Sequence, residues 1–306
     1  MTISNSRPLN GCHFETDLVE APVATAGSST IPERVDLRSY CSPVEDQGQT
    51  NSCTANAIVG ALEYHQRRIH GQHIDLSRLF AYYNARKMAS TQHLDCGSQI
   101  HHVMASVMAF GVCEERVWPF RISNRSVEPP PEAYANATQF QAAQYARTPL
   151  GPAAMAAVAD EIPVVFGTFL PSNFYSIAET TGAMPEPGPQ VIDAGSGHAM
   201  VLVGYDQPGQ YWIVRNSWGP RFGDNGYCKI PFNTLAAYSV PQHFWIVGAI
   251  EQANRLSLNQ PGSQAQTITV PSHLKIDLDK LRTETRNKLE GDLARNREGF
   301  RSRLRS

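Results

Sequence analysis

Residues 198–218 read HAMVLVGYDQPGQYWIVRNSW. Two runs rich in Val, Ile and aromatic side chains are parted by Asp-Gln-Pro-Gly, which predicts two β-strands joined by a turn. Working outward, IPVVFGTF (162–169), GYCKIPF (226–232) and HFWIVGAI (243–250) have the same character, so the second half of the chain is predicted to be β-rich. On the other side of Pro129-Pro130-Pro131 the pattern changes. The segment CTANAIVGALEYHQRRI, starting at Cys53, carries Ala57, Ile58, Ala61, Leu62 and His65 near helical spacing. LSRLFAYYNARKM (76–88) and IHHVMASVMAF (100–110) predict two further helices, the last stopped by Gly111. A helical half followed by a β-rich half is an α+β chain, with a cleft expected between the two.

The composition sets bounds on function. A chain of 306 residues with 42% hydrophobic and 18% charged residues is ample for a packed core and unlike a disordered protein. A net charge of -2 argues against nucleic acid as the main ligand, because neutralising phosphates needs a surplus of Lys and Arg. No apolar run is long enough to span a bilayer, so no membrane partner is expected. The opening MTISNSRPLNGCHFETD lacks a basic and then apolar leader, which predicts a cytoplasmic protein or one exported by a signal-independent route. Six cysteines are too few and too scattered for a disulfide scaffold.

Peptide-type hydrolysis needs a nucleophile, a base, something to aim the base, and donors for an oxyanion. Cys53 sits where the first predicted helix begins, and the positive end of a helix dipole favours a thiolate. His198 follows 145 positions later in GSGHAMVLVGY, Asn216 stands in RNSWG, and Gln47 precedes Cys53 by six residues in DQGQTNSC. Singly, each has a plainer reading: a lone Cys is usually packing, a lone His a core or surface residue, and Asn-Ser-Trp-Gly a turn.

Their order is more telling. IPERVDLR, then SPVEDQGQTNSC, GHAMVLVGY and YWIVRNSWGPRFGDNGYCKI, resemble the papain family of cysteine peptidases over roughly residues 31–251. The resemblance implies a papain-like fold, a helical domain and a β-barrel-like domain flanking the active-site cleft. It implies a peptidase acting on peptide or protein substrates without a cofactor or metal. Cys53 would be the nucleophile, His198 its acid–base partner and Asn216 the group that orients the imidazole. The Gln47 side chain and the Cys53 backbone N–H would form the oxyanion hole. Trp218 would shield the His198–Asn216 bond, while Gly97 and Ala199 would line the substrate site. A papain-fold effector or acyltransferase acting on one protein target is the alternative reading of the same residues.

The sequence also departs from the family's pattern. Thr50 stands where a half-cystine usually staples the loop before the nucleophile, leaving Cys96 without that partner; Thr54 replaces a Trp, which predicts a looser cleft, and Gly197 stands where many members place a residue that assists the His. His93, Cys96, His101 and His102 match no established zinc spacing, and no metal site is assigned. Residues 1–30 are expected to be a short inhibitory lead segment in or beside the cleft, and 31–251 the peptidase domain. Residues 252–272 would be a linker. Residues 273–306, with Leu278, Leu281, Leu289, Leu293, Phe300 and Leu304, are expected to form a charged amphipathic helix suited to partner docking.

Overall fold

The computed structural model describes residues 10–14, 31–142, 145–171, 174, 182–184, 192–247 and 250–251. The expected linker and C-terminal helix lie outside the described residues, as does most of the lead segment.

Helix α1 (Cys53–His70) is the spine of the first half. Its first fourteen residues, Cys53 to Gln66, are all buried, so it is a core helix with no solvent face until its last turn. There Arg67, Arg68 and His70 complement the negative dipole end, and Gly71, at φ 67°, closes it by donating its N–H to Arg67 O. Helix α2 (Arg78–Met88) starts two residues later than the sequence pattern suggests, because Ser77 caps it: its Oγ accepts from Phe80 N at 3.2 Å. Helix α3 (Ile100–Phe110) packs on α1 and α2 and stops at Gly111 as expected. Two shorter helices, α4 (Pro131–Ala137) and α5 (Pro152–Ala159), each begin at a proline, whose missing N–H costs nothing at that position.

The second half is a seven-stranded antiparallel sheet. Strands β1 (Cys12–His13) and β3 (Ser98–Gln99) stand apart from it as a small parallel pair, and β4 (Gln141–Ala142) pairs with β11 (Ile250–Glu251). In the main sheet the order is β5 (Tyr145–Arg147), β10 (Ser239–Val247), β6 (Val164–Pro171), β7 (Ile192–Asp206), β8 (Tyr211–Arg215) and β9 (Tyr227–Pro231), with β2 (Arg34–Asp36) also against β7. Strand β7 reads as a continuous apolar run from Ala199 to Val203 because both its faces are covered, one by α1. The structure thus has the α+β architecture expected from the sequence. One difference is local: GYCKIPF ends as a strand at Pro231, and Phe232–Tyr238 turns into a helix, with Pro231 as its N-cap.

A polar knot spans the seam between the halves. Arg215, at the end of β8, donates to Ser42 O at 2.5 Å, Ser42 Oγ at 3.0 Å and Pro43 O at 2.9 Å. Ser42 Oγ donates in turn to Glu63 Oε2 at 2.6 Å, and Glu63 Oε1 accepts from Leu76 N at 2.9 Å. Burial pushes the Glu63 carboxyl up to about 7, against the pull of these donors and of Arg215 and Arg78. Gly60 leaves room for the guanidinium to pass under α1; a methyl group there would lie 3.2 Å from Arg215 Nε.

Candidate active site

His198 and Asn216 are brought together by strand pairing. β7 and β8 are antiparallel, with Val201 opposite Arg215, so the residue before that part of β7 and the residue after β8 fall at the same end of the sheet. His198 Nε2 lies 2.8 Å from Asn216 Oδ1. That oxygen also accepts from Ser217 N at 2.8 Å, which fixes the amide orientation and makes Nε2 the protonated imidazole nitrogen. Nδ1 is left with its lone pair, buried and without a hydrogen-bond partner among the described residues. The Trp218 ring lies 5.1 Å from the imidazole at a 40° tilt, braced by Phe174 and Phe222. Trp218 therefore lies against the imidazole that bonds Asn216.

Cys53 is the first residue of α1, and the Ala199 backbone is near enough to favour its thiolate form, which places the nucleophile candidate beside the residue next to His198. Gln47 is tied to the Asn216 loop twice: its N–H donates to Ser217 O at 2.8 Å, and its Oε1 accepts from Ser217 Oγ at 2.6 Å. The side-chain amide is thereby oriented with Nε2 toward the loop before Cys53, where it donates to Thr50 O at 2.8 Å. The structure thus brings the four sequence-derived candidates Gln47, Cys53, His198 and Asn216 into one constellation.

The sequence departures are filled by hydrogen bonds. Thr50 Oγ1 donates to Gln47 O and lies 2.7 Å from Ser52 Oγ. Across the loop, Asn51 N donates to Asp95 Oδ1 at 3.0 Å and Asn51 Nδ2 to Asp95 O at 2.7 Å. Asp95 therefore bridges the two loops that a disulfide would otherwise join, and Cys96 remains a thiol. Thr54 is fully buried and its Oγ1 lies 2.6 Å from Ser98 Oγ. A hydroxyl pair thus occupies this buried position beside the nucleophile candidate.

Residues 10–14 of the lead segment lie at this site. A methyl group at Gly11 would lie 2.6 Å from Cys53 Sγ, so only a glycine backbone fits over the thiol. Ser98 N donates to Gly11 O at 3.0 Å, and β1 runs parallel to β3 from there. Gly97, expected to line the substrate site, gives its N–H to Tyr82 Oη at 3.0 Å, and its bare Cα lets Asn10 O and Gly11 O approach. Ser98 is the donor that the sequence reading missed, although it is Gly97's neighbour in the same DCGSQ stretch.

Under this cover, burial pushes the Cys53 thiol up to about 12 and the His198 imidazole down to about 4. Burial thus works against the charged thiolate–imidazolium pair, opposite in direction to the helix dipole. Among the described residues no helix is long and apolar enough to cross a membrane.

The family profile described as papain family cysteine protease matches residues 31–244. An uncharacterized peptidase C1-like protein of Acanthamoeba polyphaga mimivirus is 33% identical over 213 residues, which is 66% of this chain and 68% of that protein. Cathepsin K of Gallus gallus is 32% identical over 231 residues, covering 67% of this chain and 60% of the other. Among solved structures, xylellain, a cysteine protease from Xylella fastidiosa, aligns with a TM-score of 0.70 and 28% identity, over 81% of this chain and 99% of that one.

Proposed function

Because the chain belongs to the papain family of cysteine proteases, we propose that it cleaves peptide bonds through Cys53, His198 and Asn216 and is held latent by its own residues Asn10–Phe14. Once the cleft is open to water, the desolvation that disfavours the charged pair is relieved, and a proton passes from the Cys53 thiol to His198 Nδ1. The thiolate attacks the scissile carbonyl, and the oxyanion that forms is met by Gln47 Nε2 and the Cys53 backbone N–H. The imidazolium gives its proton to the leaving amine, leaving an acyl-enzyme thioester. Water, deprotonated by His198, then attacks the thioester, the acid product leaves, and the proton returns to the thiol. Asn216 keeps Nε2 occupied, so that Nδ1 alone faces the thiol throughout.

The observation that carries this reading is the divided imidazole: one nitrogen committed to Asn216 at 2.8 Å beside Trp218, the other buried without a hydrogen-bond partner among the described residues. The latent state rests on Gly11 over the thiol and on the Ser98–Gly11 bond. A fluorogenic peptide library tests both parts with the full chain and its Phe14→Ala and Cys53→Ala variants. Expected are slow turnover by the full chain, turnover at least tenfold faster by Phe14→Ala, and none by Cys53→Ala. Hydrolysis surviving Cys53→Ala would overturn the mechanism; equal rates for the full chain and Phe14→Ala would overturn the latency.

A further inference from the structure

The outer face of the main sheet carries charge where its inner face is apolar. On β9 the alternation of YCKIP turns Cys228 and Ile230 into the core, both buried, and leaves Lys229 exposed. Strand pairing extends that face over four strands: Lys229 lies opposite Ile213, Ile213 opposite Gly204, and Gly204 opposite Asp36. One cross-strand row thus has a carboxylate at one end, an ammonium at the other and an uncharged middle. The adjacent row runs from Arg34 through Asp206 to Tyr211. These residues line a pocket of 610 Å³. Residues 182–184 wall it along β9, where Lys229 N donates to Gly182 O at 2.6 Å and Met184 N to Lys229 O at 2.8 Å.

The charges around the pocket are balanced in number but not in pairing. Arg34, Arg38 and Lys229 face Asp36, Asp206 and Asp224. Arg34 takes Asp206 at 3.0 Å, which closes one pair. Arg38 holds two carboxylates at once, Asp36 at 2.8 Å and Asp224 at 2.9 Å, so one negative charge is left over there. Lys229 has no carboxylate partner among the described residues, and its ammonium lies 4.7 Å from the centre of the Tyr211 ring. A surplus negative charge and a surplus positive charge therefore border the same space.

Two charges held apart call for a ligand whose own charges are held apart. Three strand spacings of about 4.8 Å separate Asp36 from Lys229 by roughly 14 Å at Cα. With both side chains reaching inward, the gap suits about three residues of extended peptide, at about 3.3 Å each. In a single amino acid the ammonium and carboxylate are too close together to meet both ends, and a polyanion would meet three carboxylates. We infer that this pocket is a binding site for short peptides with both termini free, the carboxylate on Lys229, the ammonium on Asp224 and Asp36, and the middle residue over Gly204 and Ile213. None of these side chains belongs to the candidate catalytic set. Under the peptidase reading such peptides are end products of the chain's own reaction, but the site stands on the pocket alone.

The test is a chemical-shift titration of the full chain carrying Cys53→Ala, which removes the proposed nucleophile and so keeps the probe intact. The probes are alanyl-leucyl-alanine with free ends, its N-acetyl form, its C-terminal amide, and alanine alone. The free tripeptide should bind at millimolar concentration or below. Blocking either end should weaken it at least threefold, the scale of one exposed ion pair, and alanine should bind more weakly than either blocked form. Lys229→Gln should weaken the free tripeptide at least threefold and leave the amide unmoved, while Asp224→Asn should do the same for the free and acetylated forms. Both side chains are exposed or hold only surface partners, so both variants should fold, and unchanged dispersion of the spectrum checks this. No binding of the tripeptide, binding indifferent to Lys229→Gln, or an acetylated form as tight as the free one would overturn the site. Each of these outcomes leaves the peptidase reading untouched, because no readout depends on turnover.

Discussion

On the helical side of the cleft, the loop from Gln47 to Cys53 and the loop from Asp95 to Ser98 are held together by side-chain hydrogen bonds: Asn51 to Asp95, Tyr82 to Asp95 and Thr54 to Ser98. On the sheet side, His198 and Asn216 are carried on or just beyond strands fixed by backbone ladders and by apolar packing. Phe166 stacks on Phe244 with ring centres 5.5 Å apart, and the residues from Ala199 to Val203 are buried. A ladder pins every residue along it, so one register places two catalytic candidates at once. A loop tied by single polar contacts depends on each partner in turn. The two walls should therefore fail differently: the sheet wall through global stability, the helical wall through the alignment of the thiol.

The largest effect separates them directly. Phe166→Ala should cost about 3–5 kcal/mol of stability in denaturant unfolding, the usual range for emptying a buried phenyl site, with the remaining folded fraction still active. An unfolding midpoint unchanged by this substitution would mean that the sheet wall is not held by its core. Next comes Gln47→Ala, which should lower kcat by about 10²–10³, the typical loss for one oxyanion donor, and leave the midpoint nearly unmoved. A kcat within a factor of two of wild type would remove Gln47 from the mechanism.

Asp95→Ala sharpens the contrast, because it leaves the Asn51 N–H and the Tyr82 hydroxyl without their acceptor. A loss of about 1–3 kcal/mol is expected, accompanied by lower kcat/KM, since the same loop carries Cys53. Stability loss with full activity would show that the loop position does not depend on this bridge. The smallest effect is Thr54→Val, a substitution of similar shape that removes one buried hydroxyl. It should cost about 0.5–1.5 kcal/mol, read from the same unfolding curves, and a cost above 3 kcal/mol would point to a packing role instead.

The sheet side was the more legible in sequence. HAMVLVGYD and QYWIVRNSW announce their strands through composition, and their bounds fall within a few residues of β7 and β8 except where β7 begins early at Ile192. The helical side could be read as helices but not as a wall. Nothing near Asn51 in the chain names Asp95, 44 positions away, as its partner, and nothing near Thr54 names Ser98. Phe232–Tyr238 was missed because a short helix following a strand leaves too few residues for a period to show.

The sequence by itself determined the α+β class and the main helices and strands, because periodicity is a local property, and it named Gln47, Cys53, His198 and Asn216 as candidates through the resemblance of their motifs to the papain family. Tertiary structure alone decided three further things. It set the tautomer of His198, which depends on an amide oxygen 18 residues away already engaged by Ser217. It buried the thiol and the imidazole, which pushes the pKa of the first up and that of the second down. And it set two ordinary strand glycines, Gly167 and Gly197, against the ring of Phe14, more than 150 positions distant in the chain, which no local pattern could show.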